Sequence, residues 1–412
     1  MTSEYLELPD WLPYLHFGYL PPRQPQLPFE PPRGLATLPN ELSSAASQAG
    51  EVLSRVVHES ITPGRTHYIP LSGGLDSRAL LAAAMEAGAV VETLTFGMPG
   101  TMDYEYGNRV ARTVGCRHQT LNLLDHLPDT SALVETVRNG GAWTYTFDAY
   151  FNRLLTRQMG HAPAVLHGFV GDPVAGSHYH PDAPDDARAV TAFVDAQQYS
   201  RALRLTRPED DPTTWLPPMD AISNVSGLTA YEQLDFCLRQ TGAIRPIVID
   251  PTVDVRTPFT HPDWLALMFA APAHWRRGCR LYEAALVQRW PELFKLPTKN
   301  HLGLGLSTST FMRKLHVQFC RVSGRASRAL GRQSWLQRTR HNYIDFARAF
   351  REPGAMCELA RENLSDLEAR GVVPWLAPTR LLSEHMDGSK NYERELQLLI
   401  GLEINLKAVA CE

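Results

Sequence analysis

The sequence predicts an α/β protein built on a doubly wound parallel sheet, with a mostly helical C-terminal part. Three observations predict it. The apolar runs Tyr68-Ile69-Pro70-Leu71, Leu94-Thr95-Phe96 and Val165-Leu166 have strand length and lead into glycine loops. Helix-forming stretches alternate with these strands up to about Gly168, which is the pattern of βαβ units. Beyond Tyr231 the chain reads as helical.

Residues 1–40 are proline-rich, with Pro21-Pro22, Pro25, Pro28 and Pro31-Pro32. Such a chain is expected to be extended, without a core of its own. A helix from Asn40 to His58 should cover the sheet. The first strand then enters Ser72-Gly73-Gly74-Leu75-Asp76-Ser77, and an alanine- and leucine-rich helix follows from Arg78 to Glu86. A second strand ends at Gly97. The next helix begins near Asp103-Tyr104-Glu105-Tyr106 and should stop at Gly115, a C-cap residue. A strand from His118 to Leu123 comes next. Residues 173–225 hold Asp- and Pro-rich loops around a helical stretch, Ala187 to Leu205, and read as an insertion. These boundaries divide the chain into residues 1–40, a main domain over 41–310 and a basic helical region over 311–412.

The chemistry concentrates in the first glycine loop. A strand, a tight turn and a helix N-terminus point backbone N–H groups at one spot, which suits an anion. Gly73 and Gly74 let the backbone approach phosphate oxygens closely. Ser72 and Ser77 can donate hydroxyl hydrogen bonds. Asp76 would be repelled by bare phosphate, so it asks for a bridging Mg²⁺. The Gly-Lys-Ser/Thr ending of a Walker A loop is missing.

This loop resembles the pyrophosphate loop of the PP-loop ATP pyrophosphatases, whose fold is of the adenine nucleotide alpha hydrolase-like type. The resemblance narrows to the synthetase domain of the asparagine-synthetase family, which includes β-lactam synthetases and lasso-peptide cyclases. Leu94 to Gly100 resembles that family's second strand. Val165-Leu166-His167-Gly168-Phe169-Val170-Gly171-Asp172-Pro173-Val174-Ala175-Gly176 resembles its second glycine loop. Asp254 to Phe259 resembles its Arg-x-Pro-Phe stretch, and Leu296-Pro297-Thr298-Lys299 the segment with its catalytic lysine.

The resemblance implies a set of roles. Leu71, Ser72, Gly73, Gly74, Asp76, Ser77, Phe96, His167 and Gly168 would bind ATP. Asp76 and Asp172 would flank Mg²⁺ on its phosphates. Asp76, Asp172 and Lys299 would be catalytic, with Lys299 holding charge that develops at the α-phosphate or the tetrahedral intermediate. Two departures stand out: Phe169 replaces a glutamate of the asparagine synthetases, and Pro173 replaces a usually acidic residue. Phe169 cannot act as an acid or base. Phe17-Gly18-Tyr19-Leu20-Pro21 resembles the tail of the glutaminase domain that usually precedes this domain. Thr2 stands where that domain carries its cysteine nucleophile, so the chain is expected not to release ammonia from glutamine by itself.

The implied reaction joins a carboxylate to an amine through an acyl-adenylate, with ATP cleaved to AMP and pyrophosphate, in a biosynthetic pathway. The amine is intramolecular, belongs to a second molecule, or is ammonia; Phe169 favours the first two. Ammonia-dependent amidation, tRNA or base modification and a non-catalytic scaffold are the alternatives. Thiolating relatives tend to use cysteine pairs, whereas the six cysteines here are scattered. A scaffold has no need of Asp76.

A net charge of −4 argues neither for bulk nucleic-acid binding nor for an acidic tail. Leu293 to Ile344 nevertheless lacks Asp and Glu while carrying Lys295, Lys299, Arg313, Lys314, Arg321, Arg325, Arg328, Arg332, Arg338 and Arg340. An acid-free run of this length suits ATP, an acidic substrate, peptide or carrier, or RNA. The N-terminus shows no basic and apolar signal regions, and no apolar run reaches membrane-span length. Free thiols and a cytoplasmic location are therefore expected.

Overall fold

A computed structural model describes residues 10–159, 164–180, 185–329, 336 and 339–410. Its sheet has the strand order β3-β2-β1-β4-β5. These strands are β1 Thr66–Pro70, β2 Val90–Gly97, β3 Arg117–Asn122, β4 Ala164–Leu166 and β5 Val255–Arg256. Every pairing between them is parallel. The chain moves outward through β1, β2 and β3, then returns to add β4 and β5 on the other side of β1. Loops leaving the carboxyl ends of β1 and β4 therefore open on one crevice, the usual ligand position in such sheets.

The helices that position this crevice are α1 Leu42–Glu59, α2 Asp76–Glu86, α3 Met102–Val114, α4 Thr146–Met159, α5 Gly171–Ala175 and α6 Asp186–Gln197. Further along are α7 Arg280–Arg289, α8 Thr310–Ala329, α9 Ala355–Arg370 and α10 Glu393–Ala410. Side chains alternate across the strands. Ile69, Val91 and Leu166 share a core with α1, α2 and α7. Leu94, Leu121 and Val165 share another with α4, α9 and α10. The sheet is thus covered on both faces, as the doubly wound expectation requires, and the C-terminal part is helical.

Glycine ends α3 as expected, with Gly115 at φ +71°. Three local expectations fail. The proline-rich segment is not extended throughout: Leu12–Phe17 is helical, and Tyr14, Leu15, Phe17 and Tyr19 are fully buried. Apolar residues between the prolines find a core made by the rest of the chain. Residues 1–9 lie outside the described set. The helix expected over 187–205 stops at Gln197. Beyond it the Tyr199 N–H donates to His16 O at 2.8 Å. The buried Glu395 carboxylate then takes the N–H groups of Arg201, Ala202 and Leu203 at 2.9, 2.8 and 3.2 Å. These tertiary acceptors replace the helical ones. Finally, Val255 and Arg256 pair as a strand that the sequence pattern did not reveal.

Candidate active site

Loop 71–75 leaves β1 and delivers Asp76 as the first residue of α2. Its hydroxyls tie it together. Ser72 N–H donates to Ser77 Oγ at 3.1 Å, the Ser72 and Ser77 hydroxyls lie 3.2 Å apart, and Gly74 N–H donates to Ser72 Oγ at 3.2 Å. Gly73 is required by close approach, since a Cβ there would stand 2.7 Å from Met102 O at the start of α3. Gly73 N–H donates to Asp103 Oδ1 at 3.2 Å.

The second loop leaves β4 and brings Asp172 beside Asp76. Asp172 N–H donates to Asp76 Oδ2 at 3.1 Å, and Tyr282 Oη donates to Asp76 Oδ1 at 2.9 Å. A Cβ on Gly171 would lie 2.5 Å from Asp76 Cγ, so only glycine lets the two loops meet here. Val170 takes φ +55°, a left-handed conformation that is strained for a β-branched residue. Burial, and then the Asp172 charge, push the Asp76 carboxyl well above the usual carboxylate range; the two hydrogen bonds only partly offset this.

Lys299 is held from three sides. Its N–H donates to Gly73 O at 2.9 Å. Its ammonium pairs with Asp103 and hydrogen-bonds Asn342. Behind it, the buried Arg78 guanidinium donates to the carbonyls of Leu293, Leu296 and Pro297 at 3.3, 3.2 and 2.8 Å. The first helix after the glycine loop is thereby tied to the lysine segment. Burial lowers Arg78 to about 10.

These residues bound a cleft of about 460 Å³ lined by Leu71, Ser72, Gly74, Asp76, Ser77, Phe96, Asp172 and Lys299, with Arg340, Asn342 and Tyr343 closing it. Gly73 and Gly168 support it from behind; a Cβ on Gly168 would lie 3.0 Å from Asp76 Cβ. His167 does not line it. It is half-buried, loss of solvent around its ring lowers it to about 4, and the shielded Nδ1 has no hydrogen-bond partner. Phe169 is buried among apolar neighbours. Arg256 ties Asp254 to Ser60 O and Thr62, away from the cleft.

A larger cavity of about 710 Å³ adjoins the first, sharing Arg340, Asn342 and Tyr343 with it. Its wall is polar and aromatic, including Tyr145, Asp148, His178, Tyr199, Arg239 and Glu393. His178 Nδ1 meets the fully buried Asp235 at 2.7 Å. Burial alone would lower His178, but the Asp235 carboxylate outweighs it and raises it. Sequence reasoning missed this cavity, as well as Asp103, Tyr282, Asn342 and Tyr343 as site residues. Asp103 and Tyr343 carried no motif signal beyond an acidic helix start and a lone aromatic.

The paired glycine loops and acidic residues lie at the switch point of a parallel α/β sheet, where such sheets place their ligands. Residues 50–223 match the asparagine synthase family, which is consistent with an asparagine-synthetase-like synthetase domain. That is a family of ATP-using ligases, which supports an enzyme here. No curated protein matches the chain. Among the described residues no helix is long and apolar enough to cross a membrane.

Proposed function

We propose that the chain is an amide-bond ligase that activates a carboxylate as its adenylate, releases pyrophosphate, and passes the acyl group to an amine with loss of AMP. The observation that carries this reading is the convergence of the Ser72–Ser77 loop, Asp76, Asp172 and Lys299 on one cleft. The adenosine would lie along Leu71 and Phe96, at the carboxyl ends of β1 and β2. The loop N–H groups and the Ser72 and Ser77 hydroxyls would take the pyrophosphate oxygens.

The donor set fits Mg²⁺. Asp76 and Asp172 are hard oxygen ligands whose mutual repulsion a divalent cation relieves. Among the described residues no three His, Cys, Asp or Glu gather as a ready metal site. Two carboxylates plus phosphate oxygens are therefore the expected ligands. Bound there, the ion would neutralise phosphate charge as the α–β bond breaks. Lys299, fixed by Gly73 O and Asp103, would present its ammonium to the α-phosphate and then to the acyl oxyanion. His167 is placed for neither role and would act, if at all, through the backbone of the second loop.

The buried phenylalanine at position 169 supports an amine-bearing acceptor over ammonia chemistry run by a glutamate. The basic segment supports an anionic partner. On α8 its exposed side includes Phe311, Leu315 and Phe319 beside Lys314, a mixed apolar and basic face suited to an acidic peptide or carrier. Arg332 and Arg338 lie outside the described residues. ATP–pyrophosphate exchange against a panel of carboxylates tests the reading: carboxylate-dependent exchange is expected, and ATP cleavage to ADP and phosphate would refute it.

A further inference from the structure

We infer that the 710 Å³ cavity binds the acceptor substrate and that Asp148 is the carboxylate that receives its amine. The inference rests on the ligase reading and adds the acceptor's class: a primary amine carried on a substrate-sized, polar molecule.

Size is the first argument. A water-sized molecule such as ammonia takes up roughly 30 Å³, whereas pockets of about 300–1,000 Å³ hold whole organic ligands. A cavity of about 710 Å³ is far larger than ammonia needs. Position is the second. Arg340, Asn342 and Tyr343 line both cavities, so a group bound in the larger one faces the nucleotide cleft across them. Asp148 lies on α4 one turn before Asn152. The Asn152 side-chain amide donates to Asp148 O at 2.8 Å and to Tyr343 Oη at 2.9 Å. Asp148 therefore stands next to the junction.

Chemistry is the third. Among the described residues the Asp148 carboxylate meets no hydrogen-bond donor, although it lines a polar cavity. Its side chain is half-buried and opens on the cavity, so a ligand there can supply the donor that the protein does not. Tyr145, Tyr199 and Tyr343 also line the wall. Burial raises Asp148 to about 7, with Arg239 partly opposing. That value suits a group that takes and returns a proton near neutrality. The other groups facing it are the Tyr14, Tyr145, Tyr199 and Tyr343 phenols, all pushed upward by burial. His178, His180, His341, Glu393 and the arginines Arg201, Arg340 and Arg394 line the same cavity.

In the step, the bound ammonium first gives a proton to the Asp148 carboxylate, which releases it to solvent; the freed lone pair then forms the C–N bond while a second N–H proton passes to Asp148. The acyl C–O bond to phosphate breaks, its electron pair leaves with AMP, and Asp148 returns the proton to solvent.

Binding to the full chain, without turnover, tests this. Tyramine, putrescine and a set of amino-acid amides would each be compared by calorimetry with the hydroxyl counterpart. At least one amine should bind tenfold or more tighter than its counterpart. Its affinity should rise about tenfold per pH unit from pH 5 to 7 and then level off, because ammonium binds the ionised carboxylate. Asp148→Asn should lose both the preference and that pH dependence, which separates Asp148 from the cavity histidines. Equal binding of every amine and its counterpart by the wild type overturns the inference, and needs no variant. So does an Asp148→Asn protein that keeps the preference. Carboxylate-dependent exchange without amine preference would overturn this inference alone and leave the ligase reading standing.

Discussion

Lys299 illustrates what a single residue gives and withholds. Its identity was legible from the short Leu-Pro-Thr-Lys segment. Its partners were not, because Asp103 and Asn342 stand 196 and 43 residues away. Asp76 is similar: the loop motif exposed it, but its phenol donor Tyr282 lies 206 residues on. Side chains that carry chemistry in a local motif can be read; those that hold them in place are recruited by the fold. Lys299→Ala should lower turnover about a hundredfold or more, about 3 kcal/mol, with a much smaller change in the Michaelis constant for ATP. That split marks an interaction made mainly in the transition state. Steady-state kinetics at saturating ATP check it, and a change confined to the Michaelis constant would make Lys299 a binding contact. Asp76→Asn and Asp172→Asn should each abolish AMP formation while circular dichroism stays native, since each removes one proposed Mg²⁺ ligand. Near-normal turnover in either variant refutes the shared site.

At the scale of elements, the two loops work because glycine lets them touch. Gly171→Ala places a Cβ against the Asp76 carboxyl, so the loop must shift. A loss of stability of about 1–3 kcal/mol is expected for such overpacking, together with near-complete loss of turnover. Urea unfolding and an AMP assay measure the two effects. Arg78 couples α2 to the lysine segment through three carbonyls. Arg78→Met would leave those carbonyls unpaired in the interior, and turnover should fall at least tenfold even where the protein remains folded. Unchanged turnover would uncouple the two elements. The main strands and helices were legible because apolar period and glycine punctuation agreed. The short β5 gives no period to read. The end of α6 and the burial of Tyr14 and Phe17 are set by tertiary acceptors and a distant core, which local pattern does not encode.

For the whole molecule, segments distant in sequence converge on one crevice. The β1 and β4 loops form one wall, the lysine segment another, and residues 340–343 separate the glycine-loop cleft from the larger cavity. Nothing in the order of residues announced that partition. The buried pair Arg276–Glu232 joins the middle of the chain to the segment before α7. Burial pushes the Glu232 carboxyl upward, and Arg276 only partly opposes it. Arg276→Met should therefore destabilise the protein by about 3–5 kcal/mol, because it leaves a buried carboxylate without its partner; thermal unfolding measures this. In the proposed reaction a carboxylate oxygen attacks the α-phosphate of ATP. With the carboxylate that supports exchange labelled with ¹⁸O, mass spectrometry of the products shows which phosphorus is attacked. Attack at the α-phosphate puts one ¹⁸O atom in AMP and leaves pyrophosphate unlabelled, whereas label in orthophosphate alongside ADP would mean attack at the γ-phosphate and refute the adenylate.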